Sequence, residues 1–355
     1  MKRRPGATVV VALLATLATA ALVLAPLAAT SQTPPSSAGG AAPAPAAEGA
    51  AMLDTLVAAE RAFAARSVEA GMKQAFLENL ARDAVVFKPG PVPAVPVWSE
   101  RPESSDRLMW EPSWAEVSGN GDLGVTTGPW ILKPGDRDSI AAQGHFMTVW
   151  RREPDEPWLV AVDLGIDHDP PTRGGFGAVT FEPGATHHPV IVTNDWPRSG
   201  VDLGVGIGNG SFGFGLGTSM SPQQRSDRIM AHEVNAMMGA DRAYVYDRHG
   251  KGAAEALSSV AAPDLRMYRS NRMPAYGPME AIELMKALPP ATRLLPFGSR
   301  VATSFDLGYS YGLVLSQTKG ASRADTSGYV HVWRRDETSG QWKLIFDVET
   351  AYPKR

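Results

Sequence analysis

The sequence predicts an α+β protein of two tandem domains, each with N-terminal helices packed on one face of an antiparallel sheet. Three observations carry this. The first is an internal repeat. Glu60-Arg-Ala-Phe63 returns as Asp241-Arg-Ala-Tyr244, and Asp83-Ala-Val-Val-Phe87 returns as Asp264-Leu-Arg-Met-Tyr268, at one offset (241 − 60 = 264 − 83 = 181). Asp122-Leu-Gly124 returns as Asp306-Leu-Gly308, Val149-Trp-Arg-Arg152 as Val332-Trp-Arg-Arg335, and Trp158 with Asp163 as Trp342 with Asp347. Blocks this widely spaced make each copy a domain rather than a solenoid unit. The second is the order within a copy, helical spacing first and long strands after. The third is the length of 355 residues, which suits about two domains.

In the first copy, Leu53, Leu56, Val57, Ala59, Phe63 and Ala64 recur at three- and four-residue steps, predicting a helix over 52–70 that Gly71 ends. A shorter helix over 72–80 follows. Val85-Val-Phe87 is a strand stopped by Pro89-Gly90-Pro91, and a Pro- and Ser-rich loop runs to about 107. Strands are expected at 115–118, 123–132, 144–152 and 158–164, with turns at Asn120-Gly121, Pro134-Gly135 and Pro154-Asp155. In the second copy, Ser221-Pro222 opens a helix to about 247, with a cap residue first and proline next. A second helix ends before Pro263, and a strand covers 265–268. A further helix is expected over 278–288, then strands at 300–303, 307–318, 328–335 and 342–350. The domain boundaries are 52–169 and 222–355.

The flanks differ in composition. Lys2, Arg3 and Arg4 precede an apolar run from Ala7 to Ala29, and Ala29-Thr30-Ser31 suits cleavage. Residues 1–31 therefore read as a signal peptide, with an uncleaved membrane anchor as the alternative. The expected location is periplasmic or extracellular. Residues 32–51 form a flexible tether rich in Pro, Ala, Gly and Ser. Residues 170–221 form a Gly-rich linker, or a loop laid over the first domain. The chain has no cysteine, which excludes disulfides and thiolate chemistry. Loss of residues 1–31 removes three cations and takes the net charge from −3 to −6. That balance argues against a nucleic-acid partner and against docking on anionic lipid.

These motifs resemble the nuclear transport factor 2-like superfamily, also called ketosteroid-isomerase-like or SnoaL-like. The resemblance rests on Glu60-Arg-Ala-Phe63, on Leu80-Ala-Arg-Asp83-Ala-Val-Val-Phe87, and on the hairpin His145-Phe-Met-Thr-Val-Trp-Arg-Arg152 to Trp158-Leu-Val-Ala-Val-Asp163. It spans about 52–168 and 230–352. It implies two cone-shaped, cystatin-like domains, each a curved sheet wrapped on helices with an apolar pocket at its open end. It also implies that the sheets of the two copies can pair as an internal pseudo-dimer. A shared fold does not transfer chemistry.

The family's best understood reaction moves a proton beside a carbonyl, using a carboxylate base and donors for the enolate oxygen. The resemblance puts that base at Lys88 and at Arg269, both cations, so this reaction is not expected in either copy. The family's dehydration chemistry uses a His–Asp pair with tyrosines. For that pair the candidates are His145, Asp163 and His331, while Tyr244 (with Tyr246 nearby) is the candidate hydroxyl donor for the enolate oxygen, each equally suited to a structural place. By strand alternation His145 shares a face with Met147 and Val149, while Phe146, Thr148 and Trp150 share the other. His331 aligns with the second set, so the copies hold no common histidine. Pocket candidates are Phe63, Phe87, Trp110, Trp114, Trp130, Tyr268 and Tyr329, with Trp98 near a Pro-rich loop. Asp167-His168-Asp169 and His187-His188 carry metal-binding residue types without implied geometry, so no metal or other cofactor is expected. Gly208-Asn-Gly210-Ser-Phe-Gly213 matches a dinucleotide pattern without the strand and helix it needs. The expected function is binding of a small apolar or amphipathic ligand. The alternatives are an isomerase, dehydratase or cyclase-like enzyme, and a scaffold or interaction protein.

Overall fold

The computed structural model describes residues 45–88, 90–169, 179–185, 187, 221–287, 291–316 and 325–351. The expected signal segment, most of the expected tether, His188 and the glycine pattern at 208–213 lie outside them. No helix among the described residues is long and apolar enough to cross a membrane.

The first copy starts with α1 (Pro45–Ala70) and α2 (Met72–Asn79). Gly71 joins them at φ 87°, a left-handed conformation that glycine adopts without steric cost. Strand β1 (Leu80–Phe87), β2 (Pro91–Pro93) and helix α3 (Ala94–Glu100) follow. The sequence reads as loop over α3 because Pro96 breaks a helix interior; here Pro96 sits in the first turn, where its missing N–H costs nothing. Then come β3 (Arg107–Trp110), β4 (Trp114–Val117), β5 (Leu123–Lys133), β6 (Ala142–Arg151), β7 (Leu159–Asp167) and the short β8 (Glu182–Pro183).

The second copy repeats the order. Its elements are α4 (Pro222–Gly250), α5 (Ala253–Val260), β9 (Ala261–Arg269), β10 (Ala275–Tyr276), α6 (Gly277–Lys286), β11 (Ala291–Val301), β12 (Leu307–Ser316), β13 (Asp325–Arg335) and β14 (Trp342–Ala351). Helix α4 opens on a capping box: Ser221 Oγ accepts from Gln224 N at 3.2 Å, and Ser221 N donates to Gln224 Oε1 at 2.9 Å.

The two sheets run β2-β1-β7-β6-β5-β4-β8, with β3 also on β5, and β10-β9-β14-β13-β12-β11. They are mixed rather than purely antiparallel. The first long strand of each copy lies parallel to the last: β1 beside β7, and β9 beside β14. A bulge recurs at one place in both, between Val149 and Trp150 and between Val332 and Trp333. Such bulges bend a sheet, here around its helices.

Each sheet has two buried faces. Toward its helices the first packs Leu56, Phe63, Phe76 and Trp150, and the second packs Met237, Tyr244, Leu257 and Trp333. The opposite faces contribute to one apolar cluster, with Val125, Met147, Val149 and Val162 from the first copy and Val330, Val332, Phe346 and Val348 from the second. Burial of this kind stabilises by about 25 cal/mol per Å² of apolar surface removed from water.

Candidate functional site

The helix-facing side of each sheet centres on a buried carboxylate from the first helix. Glu60 accepts from Trp110 Nε1 at 2.5 Å, Thr126 Oγ1 at 2.5 Å and Trp150 Nε1 at 2.9 Å. Asp241 accepts from Ser310 Oγ at 2.9 Å and Trp333 Nε1 at 3.1 Å, and meets His331 Nδ1 at 2.7 Å. The repeated acid therefore ties the long helix to the sheet. A buried carboxylate needs such donors, because an unpaired one costs several kcal/mol.

Beyond this shared hub the copies diverge. The first holds a cavity of about 300 Å³ lined by Phe63, Phe76, Trp98, Trp110, Trp130 and Phe146. Its polar lining is Thr148, Asp163 and, on the exposed loop after α3, Arg101. Thr148 Oγ1 donates to Asp163 at 3.0 Å. Asp163 is enclosed by protein, yet its carboxyl opens to the cavity. Burial, and then the Glu60 charge, push it up to about 7, with the Thr148 bond working the other way. Burial also raises Glu60. Arg101 lies over the Trp98 ring, 4.8 Å from its centroid.

In the second copy the same ground is filled by charge. Thr148 is replaced by His331, Gly165 by Glu349, Phe63 by Tyr244, Ser67 by Arg248 and Lys88 by Arg269. Arg269 Nη2 reaches Asp347 at 2.9 Å and Glu349 at 3.2 Å, Arg248 meets Glu349 at 2.5 Å, and Tyr244 donates to Asp347 at 2.7 Å. Burial works against the Asp347 charge, but Arg269 and then His331 hold its carboxyl well below the usual range. Burial likewise works against charging His331, but the Asp241 and Asp347 carboxylates outweigh it and lift the imidazole to about 9. His331, Asp347 and Glu349 bring possible metal-ligand atoms within 4.8 Å of one another. The cations they face in this chain are Arg248 and Arg269.

Of the pocket candidates, Phe63, Trp110 and Trp130 line the cavity. Phe87, Trp114 and Tyr268 do not; they belong to the cluster between the sheets, because their strand positions point away from the helices. Tyr329 is fully buried beside His331 on the helix-facing side of the second copy. His145 also faces the second copy, with Nδ1 2.9 Å from His168 Nε2 and its ring 5.5 Å from that of Tyr268. Burial and then His168 lower it to about 3, so it is neutral at physiological pH and outside the cavity. In the acidic trio 167–169, His168 is taken up by His145 and the Asp169 carbonyl. His187 meets Glu116 and Asp306. Lys88 is exposed and Arg269 is buried in the ion network. Sequence reasoning left out Thr148, Arg101 and the hub role of Glu60; the Glu60 repeat was visible, but the tryptophans that reach it lie far along the chain.

No protein-family model and no curated protein matches the sequence. Solved structures similar to it are nuclear transport factor 2-like and ketosteroid-isomerase-like proteins. A ketosteroid isomerase-like protein from Erwinia carotovora is 17% identical, covering 34% of this chain and 98% of its own, with a TM-score of 0.29. A nuclear transport factor 2-like protein of unknown function from Pseudomonas putida is 13% identical, covering 35% and 91%, with a TM-score of 0.31. A protein of unknown function with a cystatin-like fold from Nostoc punctiforme is 12% identical, covering 34% and 90%, with a TM-score of 0.29.

Proposed function

We propose that the protein binds a small amphipathic ligand in the cavity of its first copy. The apolar body would lie against the ring wall of Phe63, Trp110 and Phe146, and one neutral polar group would meet Asp163 and Thr148. The single observation that carries this is the pairing of an apolar cavity of about 300 Å³ with the Asp163 carboxyl and Thr148 in its lining. Ligand sites combine an apolar lining with few polar groups in this way, and the volume is at the small end of their range. The copies would act as an internal pseudo-dimer, a reading supported by the apolar cluster drawn from both sheets.

Because Trp98, Trp110 and Trp130 line the cavity, binding should change tryptophan emission. The test titrates neutral bicyclic phenols and ketones, such as 2-naphthol and α-tetralone, into the full chain. Saturable quenching that Leu132→Trp abolishes is the expected result. No saturable change with any probe up to about 1 mM, a free energy of only some −4 kcal/mol, would overturn the reading.

A second reading is favoured by one observation, the placing of the raised Asp163 carboxyl on the cavity wall. A group near its midpoint at neutral pH suits proton transfer, as an isomerase, dehydratase or cyclase needs. It predicts exchange of the α-protons of a bound ketone in D2O, seen by NMR and lost in Asp163→Asn. Exchange that persists in that variant would remove Asp163 from the role.

A further inference from the structure

The two copies treat their outer sheet edges differently. In the first, β8 lies parallel to β4, with Trp114 opposite Glu182 and Ala115 opposite Pro183. Backbone bonds hold it: Glu182 N donates to Ser113 O at 2.8 Å, and Gly184 N to Ala115 O at 2.7 Å. His187 then enters between the copies, its Nε2 2.7 Å from Glu116 and its Nδ1 3.7 Å from Asp306. Arg334 meets the same Glu116 at 3.2 Å and also grips Asp264. The chain thus completes its own sheet edge with an extended segment whose imidazole pairs with a buried acid.

The matching edge in the second copy is Gly298–Val301 of β11. Glu116 and Arg300 correspond, because each stands six residues before the repeated Asp-Leu-Gly (122 − 116 = 306 − 300 = 6). Among the described residues β11 pairs only with β12. A cleft of about 450 Å³ runs along it, walled by Met230 and Val234 of α4, by Arg300, and by Asp83 and Arg151 of the first copy. By the repeat, Asp83 and Arg151 are the counterparts of Asp264 and Arg334; on the other side Arg334 lies beside His187 and pairs with Asp264. The cleft is therefore the pseudo-symmetric equivalent of the groove that residues 182–187 fill.

Its charge is the opposite. Arg300 stands where the other groove has Glu116, and its nearest acid is the exposed Glu153 at 3.5 Å. Arg151 is already paired with Asp83. We infer that the β11 edge and its cleft form a second strand-docking site, which takes an extended peptide of a partner by edge addition and holds an acidic side chain against Arg300. Unpaired edge groups supply affinity, and the side chain aimed into the cleft supplies choice. The exposed Arg300–Glu153 pair contributes little, so Arg300 changes partner at small cost.

The test uses the full chain and two synthetic heptapeptides. One has the sequence of residues 181–187, Phe-Glu-Pro-Gly-Ala-Thr-His; the other ends in Glu instead of His. By calorimetry the Glu peptide should bind about tenfold tighter or more, a difference of about 1.4 kcal/mol. Arg300→Glu, checked for an unchanged melting temperature, should reverse the preference. N-methylation of the glycine nitrogen should weaken the Glu peptide by about tenfold, because it removes an edge donor. The inference is overturned if neither peptide binds up to about 1 mM. It is equally overturned if the preference survives Arg300→Glu, if N-methylation has no effect, or if sodium acetate competes as well as the peptide.

Discussion

At the scale of residues, the molecule is governed by a few buried carboxylates whose settings differ. Glu60 is fixed by three donors, so Glu60→Ala should take the acceptor from Trp110 Nε1, leave Trp150 Nε1 with Thr126 alone, and open a void. Leaving a buried neutral donor without its acceptor costs about 1–3 kcal/mol, measurable as a fall in the denaturation midpoint. Asp163 has a different liability. Its folded value, about 7, lies above the ordinary 3.8, so the folded state holds a proton that the unfolded chain releases. Stability from this group is therefore complete below about pH 4 and is lost as pH rises through 7. Asp163→Asn should leave the melting temperature unchanged at pH 3.5 and raise stability by about 2 kcal/mol at pH 8, a discounted figure because the cavity admits water. Equal melting of variant and parent at pH 8 would contradict this. The repeat made Glu60, Asp241, Asp163 and Asp347 visible in the sequence. It could not show that Asp163 opens to a cavity while Asp347 meets Arg269, because that difference lies in Gly165 against Glu349 and Thr148 against His331.

At the scale of elements, periodicity located the long helices and most long strands, since each buries one continuous face, but it placed only 300–303 where β11 runs from Ala291 to Val301. It failed where an element is short or borrowed. Helix α3 is hidden by Pro96, and β8 exists only because the β4 edge accepts it. The parallel pairing of β1 with β7 was not legible either, because strand alternation is the same for both directions. The segment at β8 is held by its backbone bonds to β4 and by His187. Burial disfavours the charged imidazole, but Glu116 and then Asp306 keep it above its usual value. His187→Ala should leave Glu116 with Arg334 and the Ala185 amide, and Asp306 with the Gly119 amide and Ser304, without the imidazole that links the two acids. A loss of about 2–4 kcal/mol is expected. Faster protease cleavage within 179–187 should accompany it, and an unchanged cleavage rate would show that the backbone bonds hold the segment alone.

At the scale of the whole molecule, the apolar cluster between the sheets couples the copies. Val332 is fully buried in it, so Val332→Asp would put an unpaired carboxylate among Val149, Val162 and Phe346. The parent should melt in one cooperative transition followed by calorimetry, and this variant in two, with the first copy lost at the lower temperature. A single sharp transition in the variant would mean that the copies hold together by other contacts.

The filled interior of the second copy has a thermodynamic consequence for the first. A cavity weakens the domain that contains it, whereas in the second copy the charged side chains of Arg269 and Asp347 pair at the corresponding ground. If both unfold as one unit, the well-packed copy acts as a reservoir of stability for the hollow one, and linkage runs both ways. A molecule seated near Asp163 would then shield the second copy from unfolding without touching it, by about 2.7 kcal/mol at a hundred times its dissociation constant. Amide exchange in β13 of the second copy should slow when the cavity of the first is occupied.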